Sequence, residues 1–182
     1  SPNIHNPARD QNGEKCQYGQ QGPVWFLAGT YGNRSVVRRC SVPEGKYILL
    51  PVVNVIIKPV PIDANADCNY SMEKVRRSVD AIMAPYATIN GKSVANIRNY
   101  RENSPACFDP ANTGRAISAA DGYWLMLKPP PPGQYVLKVG NQEEHVAEGK
   151  NVTVLLTITS NQKRAAYEAW PVQSKLLSEA TI

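Results

Sequence analysis

The stretch NVTVLLTIT, from Asn151 to Thr159, decides how this chain is read. Val152, Val154, Leu156 and Ile158 fall on one side of an extended backbone and Thr153, Leu155, Thr157 and Thr159 on the other, which is the two-residue period of a strand with one buried face. Outward from it, short strand-like runs set off by Gly and Pro recur at Pro23 to Ala28, Ser35 to Val42, Lys46 to Ile57, Ile97 to Arg101, Gly122 to Leu127 and Gln134 to Val139. Lys46 to Ile57 is too continuously apolar for a half-solvated strand. It is expected to be covered on both faces, with Pro51 marking a bulge or an edge. Thr88 to Ser93 sets Asn90-Gly91 between extended residues, and both central positions of a type I′ hairpin turn require positive φ.

One segment has a different period. Met72, Val75, Val79, Ile82 and Met83 recur at helical spacing while Lys74, Arg76, Arg77 and Asp80 fall opposite, which predicts a helix over 71–83. Ser71 or Asn69 is the expected cap and Pro85 the stop. The fold class that follows is mainly β: a β-sandwich or jelly-roll-like single domain over residues 23–160. An extended arm without periodicity, residues 1–22, precedes it, and a tail, 161–182, follows with short helical stretches on either side of Pro171.

Composition agrees. The 182 residues fit one domain, and 42% hydrophobic against 19% charged residues supply a core and exclude a disordered chain. Twenty Lys and Arg against fifteen Asp and Glu leave +5, gathered mainly between Met72 and Arg101. No aromatic-interleaved basic stripe accompanies them, so no nucleic-acid partner is expected. The longest apolar run, Tyr47 to Ile57, is broken by Pro51 and Asn54 and is far below the ~20 residues of a spanning helix, so no membrane span is expected. The chain opens at Ser1 without a basic n-region or an apolar h-region, which is expected either of a processed mature chain or of a trimmed one, the mature chain being favoured.

Cys16, Cys40, Cys68 and Cys107 form no C-x-x-C pair, and neither His5 nor His145 lies near them, which argues against zinc. An even number at wide spacing reads as two disulfides of an oxidising compartment, periplasmic or extracellular. Of three connectivities, Cys16 with Cys40 and Cys68 with Cys107 is favoured, because each then staples a loop-rich segment to its nearest strand. Each bond is worth ~3 to 4 kcal/mol in the chain-entropy view.

Candidate chemistry is sparse. Gly91-Lys92-Ser93 has Tyr86 where a phosphate-binding loop needs its first glycine, and reads as a hairpin. Asp63, Asn65, Asp67 and Asn69 alternate as calcium ligands do, yet Cys68 stands where the loop glycine belongs and Lys74 where the bidentate Glu does. The expectation is a polar Asx-rich loop before a capped helix, with calcium at Asp63, Asn65 and Asp67 as the alternative. Only His5 and His145 are available as bases, and no G-x-S-x-G elbow occurs, so no catalytic residue is assigned. Pro129 to Pro132 reads as a stiff strand connection. Trp25, Tyr123 and Trp124 are the aromatic candidates for stacking on a ligand, with core packing as the competing role. Asn33, Asn69 and Asn151 each open an N-x-[ST] sequon.

Seven segments taken together carry a resemblance: GPVWFLAG (Gly22 to Gly29), RCSVPEGK (Arg39 to Lys46), LPVVN (Leu50 to Asn54), INGK (Ile89 to Lys92), YRENSP (Tyr100 to Pro105), ADGYW (Ala120 to Trp124) and PGQY (Pro132 to Tyr135). The set resembles an uncharacterised group of secreted bacterial β-rich proteins over roughly residues 16 to 140. That group often carries histidine in its last motif, where this chain has Tyr135. The resemblance implies a secreted, β-rich bacterial domain and brings no activity with it.

The function expected from these observations is a secreted non-enzymatic β-sandwich acting through protein contacts. It would serve as a subunit of an extracellular assembly or filament, self-associating through the N-terminal arm or the C-terminal tail. The alternatives are a carbohydrate or small-molecule binding module built on Trp25, Tyr123 or Trp124, and a hydrolase using carboxylates or a cation near Asp63 and Asp67.

Overall fold

The computed structural model of the chain describes residues 6–31, 35–59, 66–110, 112, 114–141 and 151–160. Among them, strands run in chain order as β1 Val24–Phe26, β2 Ser35–Pro43, β3 Tyr47–Ile57, β4 Pro85–Ile89, β5 Lys92–Ser93, β6 Arg101–Asn103, β7 Ala119–Leu127, β8 Gly133–Asn141 and β9 Asn151–Thr159. One α-helix, α1 Cys68–Asp80, separates β3 from β4. The strands form a four-stranded sheet, β1-β3-β7-β6, and a five-stranded sheet, β2-β9-β8-β4-β5.

The two sheets pack as a sandwich because each presents one apolar row to the other. Trp25, Ile48, Leu50, Tyr123 and Leu125 from the first meet Val42, Leu137, Val139, Val154 and Leu156 from the second in a single core. β9 alternates as its sequence predicts, with Val152, Val154, Leu156 and Ile158 buried. The Asn90-Gly91 turn has φ of 50° and 79° and closes the hairpin of Ile89 on Lys92. Each sheet also holds one parallel pair, β1 beside β3 and β2 beside β9.

β3 is buried from Ile48 to Val53, and its register against β7 shifts between Pro51 and Val53. Pro51 has no N–H to give the ladder, so the strand bulges there rather than sitting at an edge. On β7, Gly122 makes the bulge fit: a Cβ there would lie 2.6 Å from both the Asn54 Cα and the Val53 carbonyl oxygen.

Beyond the bulge α1 covers β3 and β7, burying Ser71, Val75 and Val79. It begins and ends about one turn earlier than its periodicity predicts. The cap is Asp67, whose Oδ1 accepts the Tyr70 N–H at 2.7 Å, and neither Asn69 nor Ser71 serves. The chain leaves the helix before Pro85, through Ala84 at a φ of 40°. The strand expected over Ile97 to Arg101 is a 3-10 turn, Ile97–Tyr100, followed by β6. Asn96 in the left-handed region redirects the chain there, a conformation that asparagine adopts readily.

Both disulfides join the favoured partners, Cys16 to Cys40 and Cys68 to Cys107, 24 and 39 residues apart in sequence. The first binds the arm to β2, and the second binds the start of α1 to the segment after β6. The arm's described residues, from 6 to 22, close the open side of the sandwich, where β1 and β2 are the edge strands of their sheets. Buried Arg38 on β2 donates from Nε to the Asp10 carbonyl at 2.8 Å and from Nη1 to the carbonyls of Ala28 and Gly29. Arg39 N–H donates to the Asn12 carbonyl at 2.9 Å. Gln20 acts as a substitute strand: its side-chain amide accepts the Phe26 N–H and donates to the Phe26 carbonyl, each at 2.9 Å. Edge groups that would template another chain are thereby occupied. The arm's described residues thus pack on their own domain through Cys16, Asn12, Gln20 and the Asp10 carbonyl.

Tyr135 donates from its hydroxyl to the Pro131 carbonyl at 2.8 Å, fixing the proline run as the connection from β7 to β8. His5, Asn33, Asp63, Asn65, His145 and the tail 161–182 lie outside the described residues. Among the described residues no helix is long and apolar enough to cross a membrane.

Candidate functional site

The three aromatic candidates separate by strand parity. Trp25 and Tyr123 are 8% and 2% exposed and belong to the core, so neither offers a ring face to a ligand. Trp124, one residue on, points to the outer face of the four-stranded sheet and is partly exposed. Asp67 is engaged as the helix cap, while Asp63 and Asn65 lie outside the described residues. Among the described residues no three His, Cys, Asp or Glu side chains gather as metal ligands.

Trp124 has company. Pairing sets Phe26 beside Leu49, Leu49 beside Met126, Pro51 beside Trp124 and Val24 beside Tyr47, all on the outer face. Past the bulge, Asn54 lies beside Gly122 and Ile56 beside Ala120, continuing the same face. Phe26 is 51% exposed, Ile56 45% and Tyr47 40%. Leu49 and Pro51 fill the floor between them and are buried. No described element covers this face. Its charges stand at its ends: Glu102 on β6 pairs with Gly122, exposed Lys58 follows β3 by one residue at that same end, and exposed Lys128 follows β7 by one residue at the other. A flat apolar area with rigid aromatic and methionine side chains in the middle and charge at the rim has the composition of a protein contact.

A second concavity of about 640 Å³ lies between α1, β6 and β7, lined by Met72, Glu73, Arg76, Asp80, Arg101 and Asp121 among others. Here each acid meets an arginine. Arg101 reaches Asp121 at 2.7 Å and Asp80 at 2.6 Å, and Arg76 joins Asp80 at 3.2 Å and Glu73 at 3.0 Å. Arg77 closes on Glu73 at 2.6 Å. Arg77 and then Arg76 hold the Glu73 carboxyl below its ordinary 4.5, and the hydrogen bond from Arg101 holds Asp80 below 3.8. Hydrogen bonds that Arg101 donates to Asp121 first, and then to Asp80, raise its guanidinium further against the effect of burial. A glycosidase acid needs the opposite shift, since it must keep its proton near neutrality. What this arrangement does is lock the helix to the sheet.

Sequence reasoning missed Phe26, Tyr47 and Met126 as outward residues, and one signal was available. Once Trp25 is assigned to the core, period-2 alternation turns Phe26 outward, and the same step applied to Tyr123 turns Trp124 and Met126 outward. Glu73, Arg76, Arg77 and Asp80 stand at i,i+3 and i,i+4 spacing within the helix, a local signal, whereas Arg101 and Asp121 come together only through the β6–β7 pairing. Of the sequons inside the described residues, Asn69 is exposed in the first turn of α1, while Asn151 accepts the Tyr86 hydroxyl at 2.8 Å. No family model matches this chain, and no curated protein or solved structure matches it either.

Proposed function

We propose that this chain is a non-enzymatic domain of an oxidising, extracellular or periplasmic compartment that works by holding a protein against the outer face of its four-stranded sheet. The observation that carries this reading is the exposure of Phe26, Tyr47 and Ile56 on one face, with partly exposed Trp124 and Met126 on the neighbouring strand β7. Leaving such a surface in water is unfavourable by roughly 25 cal/mol per Å² of apolar area, which a partner would recover. Two disulfides support the compartment, since such bonds persist where glutathione and thioredoxin do not reduce them. The resemblance to secreted bacterial proteins points the same way, and the chain would serve as a subunit of an extracellular assembly.

The test uses a photo-crosslinker, p-benzoylphenylalanine, in place of Phe26, with Val37 on the outer face of the five-stranded sheet as control. Val37 is equally exposed, at 51%. Protein adducts from position 26 and none from position 37 are expected, and Tyr47→Ser should reduce their yield. Equal yields from both positions, or none from position 26, defeat the reading. A carbohydrate reading rests on the partly exposed Trp124, on the same face as Phe26 and Tyr47, and is tested by co-sedimentation with insoluble polysaccharide. Binding lost in Trp124→Ala without any protein adduct would put it first.

A further inference from the structure

We propose that the protein held against this face is a second copy of the chain, in a two-fold arrangement that sets Glu102 of each copy against Lys128 of the other. The inference rests on the reading of the face as a protein contact and adds the partner's identity.

Glu102 sits at the level of Gly122 on β7, and Lys128 follows Leu127, the last residue of β7, two residues beyond Met126. Both are exposed. At 3.4 Å per residue the two levels are about 20 Å apart, at opposite ends of the apolar strip, and their midpoint is Leu125. A two-fold axis lying in the face and running across the strands at that midpoint reverses strand direction and keeps lateral order. It carries the Glu102 end of one copy over the Lys128 end of the other. Packed faces lie about 10 Å apart and neighbouring strands about 4.8 Å, a gap that a lysine and a glutamate side chain together span. Gly122 offers no side chain opposite the incoming Lys128, so the ammonium has room. At the centre Trp124 of each copy meets Met126 of the other, a favourable sulfur–aromatic contact. An in-plane axis along the strands instead leaves each charge at its own end and pairs neither with its opposite. A self-complementary patch is what a two-fold interface requires.

The experiment is sedimentation equilibrium of the intact chain and of Glu102→Lys, Lys128→Glu and the double variant, each first shown to melt as the parent does. The parent is expected to reach twice its 20.0 kDa. Each single reversal should weaken the dimer by roughly tenfold or more, and the double variant should return to within a few-fold of the parent. A parent that is monomeric at every concentration, single reversals without effect, or a double variant weaker than either single would each overturn the proposal. A monomeric parent whose position-26 crosslinker captures a different protein overturns this inference and leaves the contact reading standing. No adduct of any kind defeats both.

Discussion

The guanidinium of Arg101 grips the carboxylate of Asp121 with two nitrogens, Nη2 at 2.7 Å from Oδ2 and Nε at 3.1 Å from Oδ1. Asp121 is 3% exposed, and Arg101 also reaches the carbonyl of Arg76 and the carboxylate of Asp80 on α1. Removing the arginine strands a buried charge, and that cost exceeds the net value of the pair. Arg101→Met is therefore expected to lower stability by about 2–3 kcal/mol, reduced from the fully buried case because the arginine is partly in water. The double variant Arg101→Met/Asp121→Leu should regain most of the loss, and Asp80→Asn should lose far less than Arg101→Met. Urea unfolding monitored by circular dichroism measures all three. A double variant no better than the single would show that the pair is not what holds the helix.

Asp10, in the arm, has its carboxylate held by backbone N–H groups instead of an arginine. Burial alone would raise its pKa, but N–H groups of Lys15, Gly13 and Asn12, aided by the charge of Arg38, outweigh burial and hold it below 3.8. With the folded value depressed, the stabilisation is complete above 3.8 and is lost as pH falls through the lower folded value. Stability should accordingly decline below about pH 4, and Asp10→Asn should make that decline shallower while costing about 1–2 kcal/mol at pH 7. Parallel urea titrations at pH 7 and pH 3 decide the matter. The same pH slope in variant and parent would mean that Asp10 is not the responsible group.

How far the sequence led depends on whether a feature is local. β9 was legible to the residue because its two faces differ in chemistry along one unbroken run. The Asn90-Gly91 turn was legible because φ at those positions is a property of the residues themselves. Alternation names a face but not a neighbour, so nothing in Ser35 to Pro43 announced a parallel partner more than a hundred residues away in β9. Arg38 shares parity with Val36, Cys40 and Val42, and that alone placed a charge on the core-facing row. The carbonyls of Asp10, Ala28 and Gly29 that make it tolerable come from two other segments. The helix boundary was misjudged because three residues in five can cap, and only the tertiary path selects Asp67.

The Cys16–Cys40 bond spans a 24-residue loop, for which the chain-entropy view gives about 3 kcal/mol. Cys16→Ser/Cys40→Ser should lose about that much and lose it locally. The Arg39 amide, bonded to Asn12, and the Phe26 amide, bonded to Gln20, are expected to exchange with deuterium much faster, while amides pairing β8 with β9 keep their protection. Uniform acceleration across both sheets would show that the bond stabilises the whole fold and does not merely anchor the arm.

Gly122 carries the last test, because it discriminates between a residue that is merely small and one whose missing side chain has a use. A methyl group there would stand 2.6 Å from the Val53 carbonyl oxygen and the Asn54 Cα, and backbone atoms in a central strand cannot step aside. At Gly29 the nearest atom is the side-chain oxygen of Asn54, 3.3 Å away and free to rotate. Gly122→Ala should cost about 1–3 kcal/mol by overpacking, and Gly29→Ala should be nearly neutral. Thermal melts of the two variants settle the comparison. If Gly122→Ala melts with the parent, β3 must hold its bulge without help from β7, and Pro51 alone would then account for the shift in register.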